Sequence, residues 1–255
     1  MSVQSNFLWT DVELGVAVEA YLYLSRLQQS GASFSERDLN TLLLSGPLRR
    51  RNRASVRYRM RNISFVIEKR GWRSLPSFSP AQQVGSGVMA RIEAILDSHS
   101  AAELTFLKKL SPNLGLSDKS TSSTADRNEA IARLEKLDEA LRDLQRELVG
   151  IGHNRPPEPI EEYGLTADEV SLARAYAAEL KTELDHASIN RASIERLQDR
   201  LLHFGLKLAA WVGGRITKFA DAALVTLAPI VVAKATNVLP LIADVIGALR
   251  SLLGH

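Results

Sequence analysis

The sequence predicts an all-α protein in two parts: a basic N-terminal helical domain joined by a linker to a C-terminal helical bundle or hairpin with an apolar tail. Three observations carry that prediction. Helix-start signatures recur along the chain, each a hydroxyl residue followed three positions later by a carboxylate and then by apolar residues at helical spacing. Leucines from Leu134 to Leu148 alternate spacings of three and four, which is the seam of a short coiled coil. Polar, turn-rich or proline-rich stretches at 111–128 and 150–165 interrupt the helical pattern.

In WTDVEL, Thr10 is placed to cap a helix whose third residue, Glu13, reaches back to it, and Trp9 and Leu14 sit where a hydrophobic staple closes. The helix carries Leu14, Val18, Tyr21 and Leu24 or Leu27 on one face and stops at Ser30 and Gly31. A second start, Ser33 with Glu36 or Ser35 with Asp38, opens a short helix that ends before Ser45, Gly46 and Pro47. From Ser55 onward, Val56, Met60, Ile63 and Ile67 form a narrow apolar stripe, with Arg57, Arg61 and Ser64 on a neighbouring, solvent-facing one. After Gly71 the run SLPSFSP is loop chemistry, and a further helix from Val88 to Leu110 completes a domain over 1–110.

The linker at 111–128 ends where Ser123 with Asp126 opens a new helix. Leu134, Leu137, Leu141, Leu144, Leu148 and Ile151 make its seam, and Glu129 with Arg133 and Asp138 with Arg142 lie one turn apart in the favoured order. About two and a half heptads do not hold together alone in water, so the seam must be covered. Pro156, Pro157 and Pro159 make 150–165 an extended connector. Thr166 with Glu169 restarts the helix, with Val170, Ala173, Ala177, Leu180 and Leu184 along one seam. After a turn at Asp185 to Ser188, Ile194, Leu197, Leu201, Phe204, Leu208 and Trp211 form a longer seam, and the two helices read as an antiparallel hairpin. With the helix at 125–149 they make a three-helix bundle, or the seams pair between subunits. On the second option the seam leucines of 134–148, with Ile194, Leu197, Leu201, Phe204, Leu208 and Trp211, are the oligomerisation residues of a bundle spanning 129–255.

The composition narrows the function. The 255 residues are 45% hydrophobic, enough for packed cores, and the absence of cysteine excludes disulfides, thiolate zinc sites and cysteine nucleophiles. MSVQSNFLWTDVE lacks the order of a secretion signal, so the expected location is cytoplasmic, with membrane association as the alternative. The five histidines are scattered singly, and Gly152, His153, Asn154 has no second histidine or acid at metal-binding spacing. Neither GSG at 85–87 nor WVGG at 211–214 has the lysine of a phosphate loop. The paired Glu161 and Glu162 fall in the proline-rich connector, where solvent keeps them. The expectation is a non-enzymatic protein without cofactor or metal.

The most charged stretch is RRRNRASVRYRMRNISFVIEKRGWR, residues 49–73. Its ten cations, Arg49, Arg50, Arg51, Arg53, Arg57, Arg59, Arg61, Lys69, Arg70 and Arg73, face one acid, Glu68, for a local charge of +9 in a protein of +3. Grouped arginines offer phosphate oxygens charge-assisted donors, and such contacts dominate nucleic-acid affinity. Asn62 and Ser64 stand beside them as polar contacts. The competing explanation is an arginine face that pairs with acids elsewhere in the fold.

WTDVEL, then Tyr21 in the same helix, then RASVRYRMRNISFVI and FSP, resembles the N-terminal helical module ahead of HNH nuclease domains in a group of bacterial restriction-like proteins. Such modules run as W, an acidic E-L, a later Tyr, then S-I-E, a K and N-I-S, and a Y-x-P. The match covers roughly Trp9 to Asp97, and its best element is Asn62, Ile63, Ser64 seven residues after Ser55. The resemblance implies a DNA-associated, target-recognising role carried by Arg57, Arg59, Arg61, Asn62 and Ser64. The acidic position of the family's S-I-E is Arg57 here, which makes this copy more basic, and the nuclease half has no counterpart in the sequence. GIGHNRPPE resembles a junction in bacterial multi-domain proteins that join a variable N-terminal module to a helical, apolar C-terminal region, which implies a two-part architecture.

Between Ala222 and Ile246 the only charged residues are Lys234 and Asp244, and Pro229 and Pro240 are expected to interrupt the apolar run. The uncharged pieces fall short of the roughly 18–20 residues of a simple membrane span. Core helices closing the bundle, an oligomerisation surface, and a membrane-active segment within 205–255 flanked by Lys207, Arg215, Lys218 and Arg250 are three readings of this region. The leading functional expectation is a nucleic-acid-binding protein, favouring DNA over RNA, that self-associates through its C-terminal helices and acts in bacterial defence against phage or plasmid. The alternative is an immunity-type effector whose apolar helices perturb membranes while the N-terminal module senses or docks a protein partner.

Overall fold

The computed structural model describes residues 8–31, 34–99, 104–108, 123–150, 164–186, 189–221 and 228–254, and these are all-helical. In chain order the helices are α1 (Asp11–Gln29), α2 (Glu36–Ser45), α3 (Arg53–Lys69), α4 (Ser86–Asp97), α5 (Thr105–Lys108), α6 (Ser123–Gly150), α7 (Ala167–Asp185), α8 (Arg191–Asp221) and α9 (Ala228–Leu253).

The helix starts follow local chemistry. In α1 the Thr10 hydroxyl accepts the Glu13 N–H at 3.2 Å while the Glu13 carboxylate accepts the Thr10 N–H at 2.8 Å, the reciprocal pair expected of a capping box. Thr166 and Glu169 repeat it at the start of α7. For α2 the cap is Ser35, whose hydroxyl accepts from the Arg37 and Asp38 amides; Ser33, the other candidate, lies outside the described residues. The third helix begins at Arg53 rather than Ser55, because the Asn52 side chain caps it by accepting the Ser55 N–H at 2.8 Å.

One expected helix is divided. The stretch 88–110 is not continuous: α4 ends at Asp97, where the Ser98 hydroxyl bonds back to the Ile95 carbonyl, and α5 starts only at Thr105. His99, just past the break, turns into the core and comes within 2.5 Å of the buried Glu19 of α1.

α1 is the centre of the molecule. Every residue from Leu14 to Leu27 is buried, so it is not the one-faced helix expected from Leu14, Val18, Tyr21 and Leu24. On one side it meets α3, α4 and α5, and on the other α9 and, most extensively, α8. Glycines make that last contact possible. A Cβ on Gly213 would lie 2.3 Å from the Gly15 carbonyl oxygen, and one on Gly205 would lie 2.0 Å from the Tyr23 hydroxyl. The N-terminal and C-terminal parts therefore share a continuous core through α1, α8 and α9. The intervening residues 109–122 and the connector residues 151–163 are outside the described set.

The C-terminal seams close within the chain. α6 packs against α9 and α7, α7 against α8, and α8 against α9. Leu134, Leu137, Leu141, Leu144, Ile194, Leu197, Leu201, Phe204 and Leu208 are buried in this intramolecular bundle, and Leu148 and Trp211 are half-buried. The apolar stripe of each helix is thus covered by its neighbours in the same chain. Ile151 lies outside the described residues. The expected pairs Glu129 with Arg133 and Asp138 with Arg142 form, and α7 adds Arg174 to Asp138 at 2.9 Å.

The prolines do not interrupt α9. Pro229 is its second residue, where the missing N–H costs nothing, and the helix continues through Pro240, which leaves the Thr236 carbonyl without its usual donor. Ile230–Leu253 is thus one helix long and apolar enough to cross a membrane, with half of that window buried inside the protein. Ala235, Val238, Leu239, Ile242 and Leu249 line its buried face.

Candidate nucleic-acid interface

The arginine stretch is anchored by α1. Trp9, buried just ahead of the helix, donates from its indole nitrogen to the Ser55 hydroxyl at 3.1 Å and accepts a bond from Arg91 at its carbonyl at 2.8 Å. The guanidinium groups of Arg59 and Arg51 lie 4.9 and 5.3 Å from its ring centroid. Arg51 grips the Glu13 carboxylate with two bonds of 2.8 and 2.6 Å and reaches the Leu8 carbonyl at 2.6 Å. Burial works to raise the Glu13 carboxyl, but the bond and charge of Arg51, with the bonds from Thr10, outweigh it and hold it below its ordinary value. Burial, then the nearby Arg91, lowers the Arg59 guanidinium, whose Nε has no acceptor among the described residues.

Of the twelve side chains expected to contact nucleic acid, four are structural. Ser64 is fully buried and shares a 2.9 Å hydrogen bond with the Tyr21 hydroxyl, which also accepts the Leu75 N–H at 2.8 Å. Burial pushes the Tyr21 phenol up to about 12, against the opposing effect of those two bonds. Asn62 is likewise buried. Ser64 is therefore not on the solvent-facing stripe with Arg57 and Arg61 but faces Tyr21 of α1, and Asn62, Arg51 and Arg59 are likewise turned away from solvent. The Tyr and the N-I-S of the resemblance are joined to one another here.

Others are partly committed. Arg70 bonds Asp97 at 2.8 Å, Arg61 bonds the Ser79 carbonyl at 3.0 Å, and Arg57, although 59% exposed, lies 3.4 Å from Glu36. Lys69 reaches the Met89 sulfur at 3.1 Å. Arg49, Arg50, Arg53, Arg57, Lys69 and Arg73 remain exposed. The first four sit on the turn between α2 and α3 and the first two turns of α3. Lys69 and Arg73 are at its far end, roughly 25 Å away for a helix of this length. The local +9 is therefore divided between a core clamp and two separated exposed groups.

What the arginine run did not reveal is its partner. A cleft of about 710 Å³ opens between the start of α1, the α2–α3 turn and α8, and Arg49 and Arg50 line it together with Lys207 and Arg215 of α8. Val16, Leu42, Pro47 and the half-buried Trp211 form apolar wall, and the Arg215 guanidinium lies 5.5 Å from the Trp211 ring centroid. The one acid in the lining, Glu13, is held by Arg51, while Lys207 pairs with Glu169 at the edge. A signal was available: Lys207, Trp211 and Arg215 recur every four residues, which places a cation, an indole and a cation along one side of a helix.

Comparison with models of protein families, with curated proteins and with solved structures finds no match. Among the described residues no three histidine, aspartate or glutamate side chains gather as a metal-binding group. The chemistry on offer at the cleft is that of guanidinium and ammonium donors around an apolar hollow, which suits recognition of phosphate or carboxylate groups on a partly apolar ligand.

Proposed function

We propose that the protein binds nucleic acid through the α2–α3 turn and the adjoining cleft, without chemistry. The observation that carries this reading is the convergence on one cleft of Arg49 and Arg50 with Lys207 and Arg215, cations drawn from segments more than 150 residues apart. Arg53 and Arg57 add exposed cations on the first two turns of α3, next along the chain, with Arg57 beside Glu36. Backbone phosphates are the natural counterpart of such a surface, and the resemblance to modules of restriction-like proteins favours DNA and a role in bacterial defence. The experiment is a mobility shift at two salt concentrations with Arg50→Glu and Arg53→Glu. Affinity falls with salt, and each reversal reduces the logarithmic salt slope by about 1. Binding that keeps its full affinity after both reversals, or that has no salt slope, refutes the proposal.

A second reading has its own observation. The apolar length of α9 suits membrane insertion, and an effector of that kind makes liposomes leak. The buried half of α9 supports its role as a core helix, for which the full chain leaves liposomes intact.

A further inference from the structure

The cleft has more structure than phosphate binding needs. Contacts to a duplex backbone call for cations on an open surface, and Arg53 and Arg57 already supply them. Arg49 and Arg50 instead stand at the mouth of a hollow whose walls are mostly apolar. Its volume of about 710 Å³ falls in the range of small-molecule sites, where an apolar interior takes the body of a ligand and a few polar groups fix its orientation. Trp211 is only partly buried at this wall, which leaves part of its indole facing the hollow, and Arg215 lies against its ring. Gly214 lines the same wall, where a Cβ would stand 3.7 Å from a Val16 methyl and 3.8 Å from a Val12 methyl.

We propose that the cleft receives an unpaired nucleotide, its base against Trp211 and its phosphate at the Arg49 and Arg50 rim, so that the protein selects single-stranded over duplex nucleic acid. The inference rests on the nucleic-acid reading above and adds the state of the strand. Cations that track a backbone beside an aromatic that stacks on a base are the two parts of single-strand recognition. A paired base cannot enter, because its edge is held in the duplex stack. A free nucleotide carries the same chemistry, and the experiment separates the two sources.

Fluorescence anisotropy is measured with a labelled single-stranded oligonucleotide and with the same sequence as a duplex, while AMP is titrated against the intrinsic tryptophan fluorescence. The single strand binds on the order of tenfold more tightly than the duplex. Trp211→Ala abolishes that preference by lowering single-strand affinity to that of the duplex, Trp211→Phe retains most of it, and Arg50→Glu weakens both. Urea midpoints of the variants show that the fold is retained; should Trp211→Ala unfold, Ser45→Trp at the cleft rim blocks entry and takes its place. An affinity for AMP equal to that for the strand keeps a nucleotide in the cleft and makes the free nucleotide its source. Equal, salt-dependent binding of single strand and duplex, unaltered by Trp211→Ala, overturns this inference while the electrostatic reading stands. No salt-dependent binding of either overturns both.

Discussion

Replacing Gly213 by alanine places a methyl carbon 2.3 Å from the Gly15 carbonyl oxygen and 2.6 Å from its carbonyl carbon. Both atoms are backbone of α1, so no side chain can swing aside, and the two helices must move apart at their crossing. In an isolated helix the same change is favourable by about 1 kcal/mol, because alanine loses less conformational entropy than glycine. Overpacking a well-filled core costs about 1–3 kcal/mol, and a backbone clash lies at the upper end or beyond it. The net expectation is a loss of about 2 kcal/mol. Gly214 is the internal control, since its added Cβ meets only Val16 and Val12 at 3.7 and 3.8 Å, ordinary contact distances. There the helix preference acts almost alone, and Gly214→Ala gains up to about 1 kcal/mol. Two neighbouring glycines in one helix thus respond with opposite sign. Urea denaturation followed by helical circular dichroism reads both as shifts of the midpoint. If Gly213→Ala is as stable as Gly214→Ala, the α1 and α8 backbones do not meet, and the shared core described above is wrong.

Three more predictions address the arginine clamp, the buried hydroxyl and the seam. Glu13→Gln removes the charge that holds Arg51 and costs roughly 2–3 kcal/mol at neutral pH, somewhat below the cost of stripping a fully buried pair. Because the Glu13 carboxyl lies below its ordinary 4.5 in the folded state, the unfolded chain binds the extra proton first. The stabilisation is complete above about pH 4.5 and is lost as pH falls through the folded value, so Glu13→Gln flattens that part of a stability–pH profile; an unchanged slope contradicts the assignment. Ser64→Ala costs about 1–2 kcal/mol by unpairing Tyr21, and it leaves nucleic-acid affinity as it was; loss of binding at unchanged stability would return Ser64 to the interface. Leu141→Ala costs about 2–5 kcal/mol and shifts the urea midpoint equally at two protein concentrations. A concentration-dependent shift would place the seam between subunits.

The sequence was legible where donor and acceptor lie within one turn. Thr10 with Glu13 and Thr166 with Glu169 each contain a whole capping interaction in four residues, so nothing distant decides them. The leucine seam of α6 was legible as a seam but not as to its partner, because the same spacing serves a neighbour in the chain or in another subunit. Around α1 the reading failed for a definite reason. Gly15, Glu19 and Tyr23 do not belong to an apolar stripe, and their burial is imposed by Gly213, Gly205 and His99, which only the tertiary fold brings near. Pro240 is expected to interrupt the apolar run, yet α9 continues across it with Val238, Leu239 and Ile242 buried on either side.

The charge of the site is likewise a tertiary quantity. Residues 49–73 contain one acid, but Glu13, Glu36 and Asp97, all outside that run, engage Arg51, Arg57 and Arg70. Two cations that no local count includes, Lys207 and Arg215, join Arg49 and Arg50 at the cleft. The two arginine populations are also mechanically related. Arg51 sits between the exposed Arg50 and Arg53, and its pair of hydrogen bonds to Glu13 ties the turn to the cap of α1, the same carboxylate that closes the Thr10 box. The buried guanidinium thereby fixes the path of the chain that carries its exposed neighbours. A defect at Glu13 should then reach the cleft as well as the core: Glu13→Gln lowers affinity for nucleic acid even though it removes a negative charge from the lining, whereas simple electrostatics would raise it. The sign of that change, measured at a pH and temperature where the variant is fully folded, separates a held turn from a free one.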